Sequence, residues 1–246
     1  MASTIETGHA KNVANFDELI SFCTGYGVAY NPSKASIKLA ALSTLLTTAQ
    51  ASLAAQKAAK TSLDNATNAR EISFKPLKKL STKIVNALSA TDAARQTVED
   101  ANTANLKIQG RRAKAKATAL PLKEGETATP DTSISVAQTS FDSQVDHMAK
   151  LVQTLTSETL YKPNEVELQV ATLNTILTDL KNKNKAVITA AAAASNARIA
   201  RDKVLYTESA GLYDVAQAVK AYVKSLFGAT SPQYKQVSKI KFTTAR

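Results

Sequence analysis

Three side chains can titrate or react near neutral pH: His9, His147 and the lone cysteine, Cys23. Glu6 and His9 stand at the Glu-x-x-His spacing that gives one helix two ligands for a dinuclear iron site. Such a site needs a second pair and two further glutamates. No second pair exists, and Gly8 interrupts the first. Asp142, Asp146 and His147 crowd one segment, but Asp146 and His147 are adjacent and leave a helix in different directions. A solvated acidic face is the expectation there. One cysteine is too few for a structural zinc site. Cys23 falls on the spacing of Val13, Phe16 and Ile20, so it reads as a small buried hydrophobe. Gly-x-Ser-x-Gly, phosphate-loop and dinucleotide fingerprints are missing, and Gly25-Tyr26-Gly27 lacks the third glycine. The expectation is therefore a non-enzymatic protein with no catalytic residue, no cofactor and no metal.

The basic residues carry the stronger signal. Lys75, Lys78, Lys79 and Lys83 fall on the helix face opposite Leu77, Ile84 and Leu88. Lys107, Arg111, Arg112, Lys114 and Lys116 form a second, denser run. Both are candidates for contact with phosphates, whose affinity would fall steeply with salt. No aromatic residues are interleaved to stack bases, and no helix-turn-helix or zinc-finger spacing is present. Nucleic-acid or other polyanion binding is therefore the second reading, behind a solvated face and a charged linker. Arg70 and Arg201, each followed by an acid, read as partners for carboxylates or helix-end carbonyls.

These residues must be carried by helices. The 246 residues contain 43 alanines against 7 glycines and 6 prolines. Alanine has the highest helix propensity, and scarce Gly and Pro leave few turns. The net charge of +11 is uneven: residues 31–120 hold +10 and 166–246 hold +7, while 1–30 hold −2 and 121–165 hold −4. No run approaches 18 consecutive apolar residues, so no membrane span is expected. A lone cysteine and the absence of a basic-then-apolar leader point to a cytoplasmic location.

The chain also repeats itself. Residues 30–71 align without a gap on 161–202, an offset of 131, with 13 of 42 positions identical. Tyr30-Asn31-Pro32 meets Tyr161-Lys162-Pro163 at one end. Asn65-Ala66, Ala69 and Arg70 meet Asn196-Ala197, Ala200 and Arg201 at the other. Apolar residues recur at alternating steps of 3 and 4, as in Leu39, Leu42, Leu46, Ala49 and Leu53, and in Val166, Val170, Leu173, Leu177 and Leu180. That spacing lays a seam along each helix suited to bundle packing. The same pattern runs unbroken from Leu77 through Thr91 to Ala101.

The predicted fold is all-α: an elongated helical bundle of two tandem copies of a helical-hairpin unit. The first copy covers residues 1–107, a linker 108–132, and the second copy 133–246, the two packing as one bundle. A long helix is expected over about 33–69, and shorter ones near 12–24, capped by Asn15, and near 134–159. Pro76 should break the chain near Ser73-Phe74, Gly228 should end the last helix, and Lys239 to Phe242 alternates like a short strand. Such a frame works through its surface, as a homo-oligomer or with a protein partner.

Overall fold

Tyr30 and Tyr161 set the entry to the two longest helices. Each tyrosine hydroxyl donates to a backbone carbonyl seven residues on, Tyr30 to Ile37 at 2.7 Å and Tyr161 to Leu168 at 2.9 Å. Each carbonyl closes a short 3-10 turn, Ala35–Ile37 or Val166–Leu168. The residue after each turn, Lys38 or Gln169, is extended, so α-helix starts only beyond it. The long helices therefore begin later than Pro32 and Pro163 suggest: α2 spans Leu39–Phe74 and α6 spans Val170–Tyr206. Burial raises the phenol pKa of both tyrosines, so these hydroxyls remain donors well above neutral pH.

The structure, a computed structural model, describes residues 8–111 and 139–244. Among them every regular element is helical. Besides α2 and α6 these are α1 (His9–Gly25), α3 (Leu77–Ser89), α4 (Arg95–Gln109), α5 (Phe141–Ser157), α7 (Leu212–Phe227) and α8 (Pro232–Ser238). Pro76 separates α2 from α3 as expected, and Gly228, at φ 89°, ends α7. That helix is not the last, however: Ser231, whose hydroxyl accepts from Tyr234 N–H, opens α8 beyond it. The predicted continuous seam from Leu77 to Ala101 is broken after Ser89. There the Thr91 hydroxyl donates to the Leu88 carbonyl and accepts from Ala93 N–H, taking over the backbone groups that would have continued the helix.

Contacts gather the chain into two compact units. Unit 1 takes Met1–Asp64 with Thr189–Arg246, and unit 2 takes Asn65–Ile188. Both divisions fall inside α2 and α6, away from the predicted linker at 108–132; of that linker, residues 112–132 lie outside the described residues. The core of unit 1 joins Phe16, Leu19 and Cys23 of α1 to Leu42 and Ala49 of α2, Leu205 of α6, and Leu212, Val219 and Val223 of α7. The core of unit 2 joins Leu77, Ile84 and Leu88 of α3 to Ile108 of α4, Met148, Leu151 and Leu155 of α5, and Leu173 and Leu180 of α6.

Two expectations fail at one place. Asn15 is not a cap but an interior residue of α1, 8% exposed, whose amide donates to the Lys241 carbonyl at 2.6 Å. Residues 239–242 are not a strand: side chains bond this segment, Lys220 donating to the Ile240 carbonyl and Asn15 to the Lys241 carbonyl, while Asn12 holds the next residue, Thr243.

Candidate polyanion-binding face

Of the candidate cations, those of α3 and α4 are brought together by a polar lock. The Gln109 amide donates to the Lys78 carbonyl at 2.6 Å and to the Thr82 hydroxyl at 3.1 Å. Beneath it, buried Ser81 donates to the side-chain oxygen of buried Asn105 at 2.8 Å. The start of α3 is thereby held against the end of α4. Lys75, Lys78 and Lys79 share that end of unit 2 with Lys107 and Arg111, and all five are exposed. Gly110 closes α4 at φ 77°, a left-handed cap that frees Arg111 from the helix while Arg111 N–H still bonds the Leu106 carbonyl.

Not every candidate is free. Lys83 Nζ of α3 lies 2.6 Å from Glu167 of the Val166–Leu168 turn, and Lys78 Nζ reaches the Gln109 carbonyl at 3.4 Å. Lys79 stands over a groove of about 520 Å³ walled by Leu77, Leu80, Ile176 and Leu180. Arg112, Lys114 and Lys116 lie outside the described residues, as does Glu6.

Of the residues weighed for chemistry, Asp142 and Asp146 are exposed and His9 and His147 are half-buried. Cys23 is fully buried, and burial pushes its thiol up to about 11. His9 Nδ1 lies 2.8 Å from the Tyr206 hydroxyl. Among the described residues, no three His, Cys, Asp or Glu side chains gather as metal ligands, and no helix is long and apolar enough to cross a membrane.

Arg70 departs from its reading. Its guanidinium stacks 4.0 Å over the Phe141 ring and donates to the Asn184 side-chain oxygen at 3.2 Å, and Asn184 in turn donates to Asp142. Arg201 does pair with a carboxylate, that of Asp202 at 2.7 Å. Asn184 escaped notice in a lysine-rich run, yet it lies four residues beyond Leu180 on the same seam, which marks it as interior.

His147 gives a pH-dependent expectation. Its Nε2 is buried without a partner. Burial, then Lys107 on the facing helix, lowers its pKa, with Asp146 opposing and Lys150 adding to the effect. His9 is lowered too, by burial and by Arg201, against Asp202. A histidine held neutral in the fold takes up its proton more readily when unfolded. Stability should thus be full above about pH 6.5 and fall as pH drops from there through the lowered folded values. Urea midpoints between pH 7.5 and 5 check this. His147→Gln should flatten the decline, and an unchanged slope would refute the assignment.

Searches of family models, curated proteins and solved structures find no match to this chain.

Proposed function

We propose that the protein is a non-enzymatic interaction protein, a duplicated helical frame that works through its surface and assembles with copies of itself. The observation that carries the reading is the fate of the reactive side chains: Cys23 is buried in the core of unit 1, half-buried His9 is paired with the Tyr206 hydroxyl, and half-buried His147 stands beside Lys107 of α4. The duplication is supported by the matched tyrosine–carbonyl bonds, the matched 3-10 turns and the matched long helices at an offset of 131. Light scattering across a wide concentration range tests self-assembly. A mass that rises with concentration is expected, and a monomer throughout would remove that part of the proposal.

A second reading, binding of a nucleic acid or other polyanion, is favoured by the convergence of Lys75, Lys78, Lys79, Lys107 and Arg111 at one end of unit 2. Duplex DNA and RNA titrated at about 50 mM salt should bind, with affinity falling by orders of magnitude toward 200 mM if six or more phosphates are contacted. The double variant Lys75→Glu/Lys107→Glu removes two exposed cations without touching the Gln109 lock. It should weaken binding more than tenfold and lower the salt slope by about two. No binding at about 50 mM would end this reading.

A further inference from the structure

The two long helices differ on one exposed face. In α6, Ile188, Ala192, Ser195 and Ile199 follow one another at steps of 4, 3 and 4, so they line one stripe of the helix. The stripe faces away from the packed side, which carries Asn184 and Ala194. Both isoleucines are left out of the core, at 63% and 65% exposed, and Ala192 and Ser195 are exposed between them. Helix propensity does not ask for them, because isoleucine is a poorer helix former than alanine or lysine. At the offset of 131, α2 carries Lys57, Thr61, Asp64 and Asn68 in the same four places, all exposed. A solvated face of this helix is therefore polar in one copy and apolar in the other.

We propose that this stripe of α6 pairs antiparallel with the same stripe of a second copy of the chain. The inference rests on the self-assembly reading above and names the surface that would carry it. What identifies the occupant is the order of the side chains. The next positions of the stripe are Lys185 at one end, exposed, and Asp202 at the other, half-buried and held on one side by Arg201. From Lys185 to Asp202 the steps run 3, 4, 3, 4, 3, the same in either direction. A two-fold axis midway between Ala192 and Ser195 therefore sets Ile188 against the partner's Ile199 and Ala192 against the partner's Ser195. It also sets Lys185 against the partner's Asp202, and each contact occurs twice, as an isologous interface requires. The small residues at the centre let the helices approach closely, and the isoleucines pack on either side of them. Arg198, beside the stripe, meets the partner's Thr189 and no like charge. A parallel pair would instead place Lys185 on Lys185 and Asp202 on Asp202, which opposes that orientation. The seam covers about 26 Å of helix, so the dimer is a weak one that forms as concentration rises.

The test uses the full chain, with sedimentation velocity over a wide concentration range and disulfide trapping. Ile188→Lys/Ile199→Asn gives α6 the residues that α2 carries in those places. It should weaken dimerisation at least tenfold and leave the melting temperature of the dilute protein unchanged, since both side chains lie outside the core. Orientation is read by trapping, in which Cys23 takes no part because it is buried. A mixture of Ala192→Cys and Ser195→Cys chains should cross-link between unlike chains faster than either variant cross-links to itself. Faster self-cross-linking of Ala192→Cys would mean a parallel pair and would overturn the proposal. A mass that rises equally in wild type and in the double isoleucine variant would overturn the α6 seam and leave self-assembly standing through another surface. A wild-type chain that stays monomeric throughout would overturn both.

Discussion

A single cut between Arg111 and Thr139 is expected to leave the two halves of the chain bound to one another. The first half supplies residues up to Asp64 to unit 1 and Asn65 to Arg111 to unit 2; the second supplies Thr139 to Ile188 to unit 2 and the rest to unit 1. Neither unit has a core without both halves. In unit 2, Leu77, Ile84, Leu88 and Ile108 pack with Met148, Leu151, Leu155, Leu173 and Leu180, all of them at most 1% exposed. In unit 1, Phe16, Leu19 and Leu42 pack with Leu205, Leu212 and Val219 in the same way. Full burial of such a side chain stabilises by about 1.5–3 kcal/mol, so separation would expose several tens of kcal/mol of apolar burial, offset in part by chain entropy. A protease site inserted between Gly125 and Glu126 gives the experiment. After complete cleavage the product should elute as uncut protein does and separate only in denaturant. Fragments that part in native buffer would contradict this division of the cores.

That arrangement also explains what was legible beforehand. The all-helical class followed from 43 alanines and the alternating steps of 3 and 4, because local propensity and seam periodicity are written residue by residue. The break at Pro76 and the end at Gly228 followed from backbone chemistry that tertiary contacts do not override. What could not be read was which seam meets which. Leu173 of α6 and Leu42 of α2 occupy matching positions in their seams, yet one faces α3 to α5 and the other α1 and α7. Periodicity states that a face is apolar and is silent about its partner. The basic face was half legible. Both lysine clusters were visible, but their meeting depends on Gln109 reaching Lys78 across 31 residues, a contact no spacing rule encodes. The loss of Lys83 to Glu167, 84 residues away, was hidden for the same reason.

The C-terminal segment was misread because its partners are side chains, and there the second large effect is expected. Asn12 is 1% exposed. Its amide donates to the Thr243 carbonyl at 2.8 Å, and its oxygen accepts from Thr243 N–H at 3.0 Å. This pair reproduces, from a side chain, the two bonds of one rung in an antiparallel ladder. The same amide lies 3.3 Å from the Tyr206 hydroxyl. Asn12→Ala deletes these three, together with a long bond from the Thr243 hydroxyl at 3.4 Å, and leaves two backbone groups of a half-buried residue unmatched. An unmatched buried group costs about 1–3 kcal/mol, so a loss of about 2–3 kcal/mol is expected in urea unfolding. Asn15→Ala, which gives up one bond to Lys241, should cost about 1 kcal/mol. The two asparagines hold a single segment, so their effects should not simply add. Trypsin supplies a local readout: cleavage after Lys239 and Lys241 should speed up in Asn12→Ala well before the rest of the chain is digested. A variant within 0.5 kcal/mol of wild type, with unchanged cleavage at those lysines, would mean that Val237 and Ile240, both buried in the core of unit 1, anchor the segment without the asparagines' help.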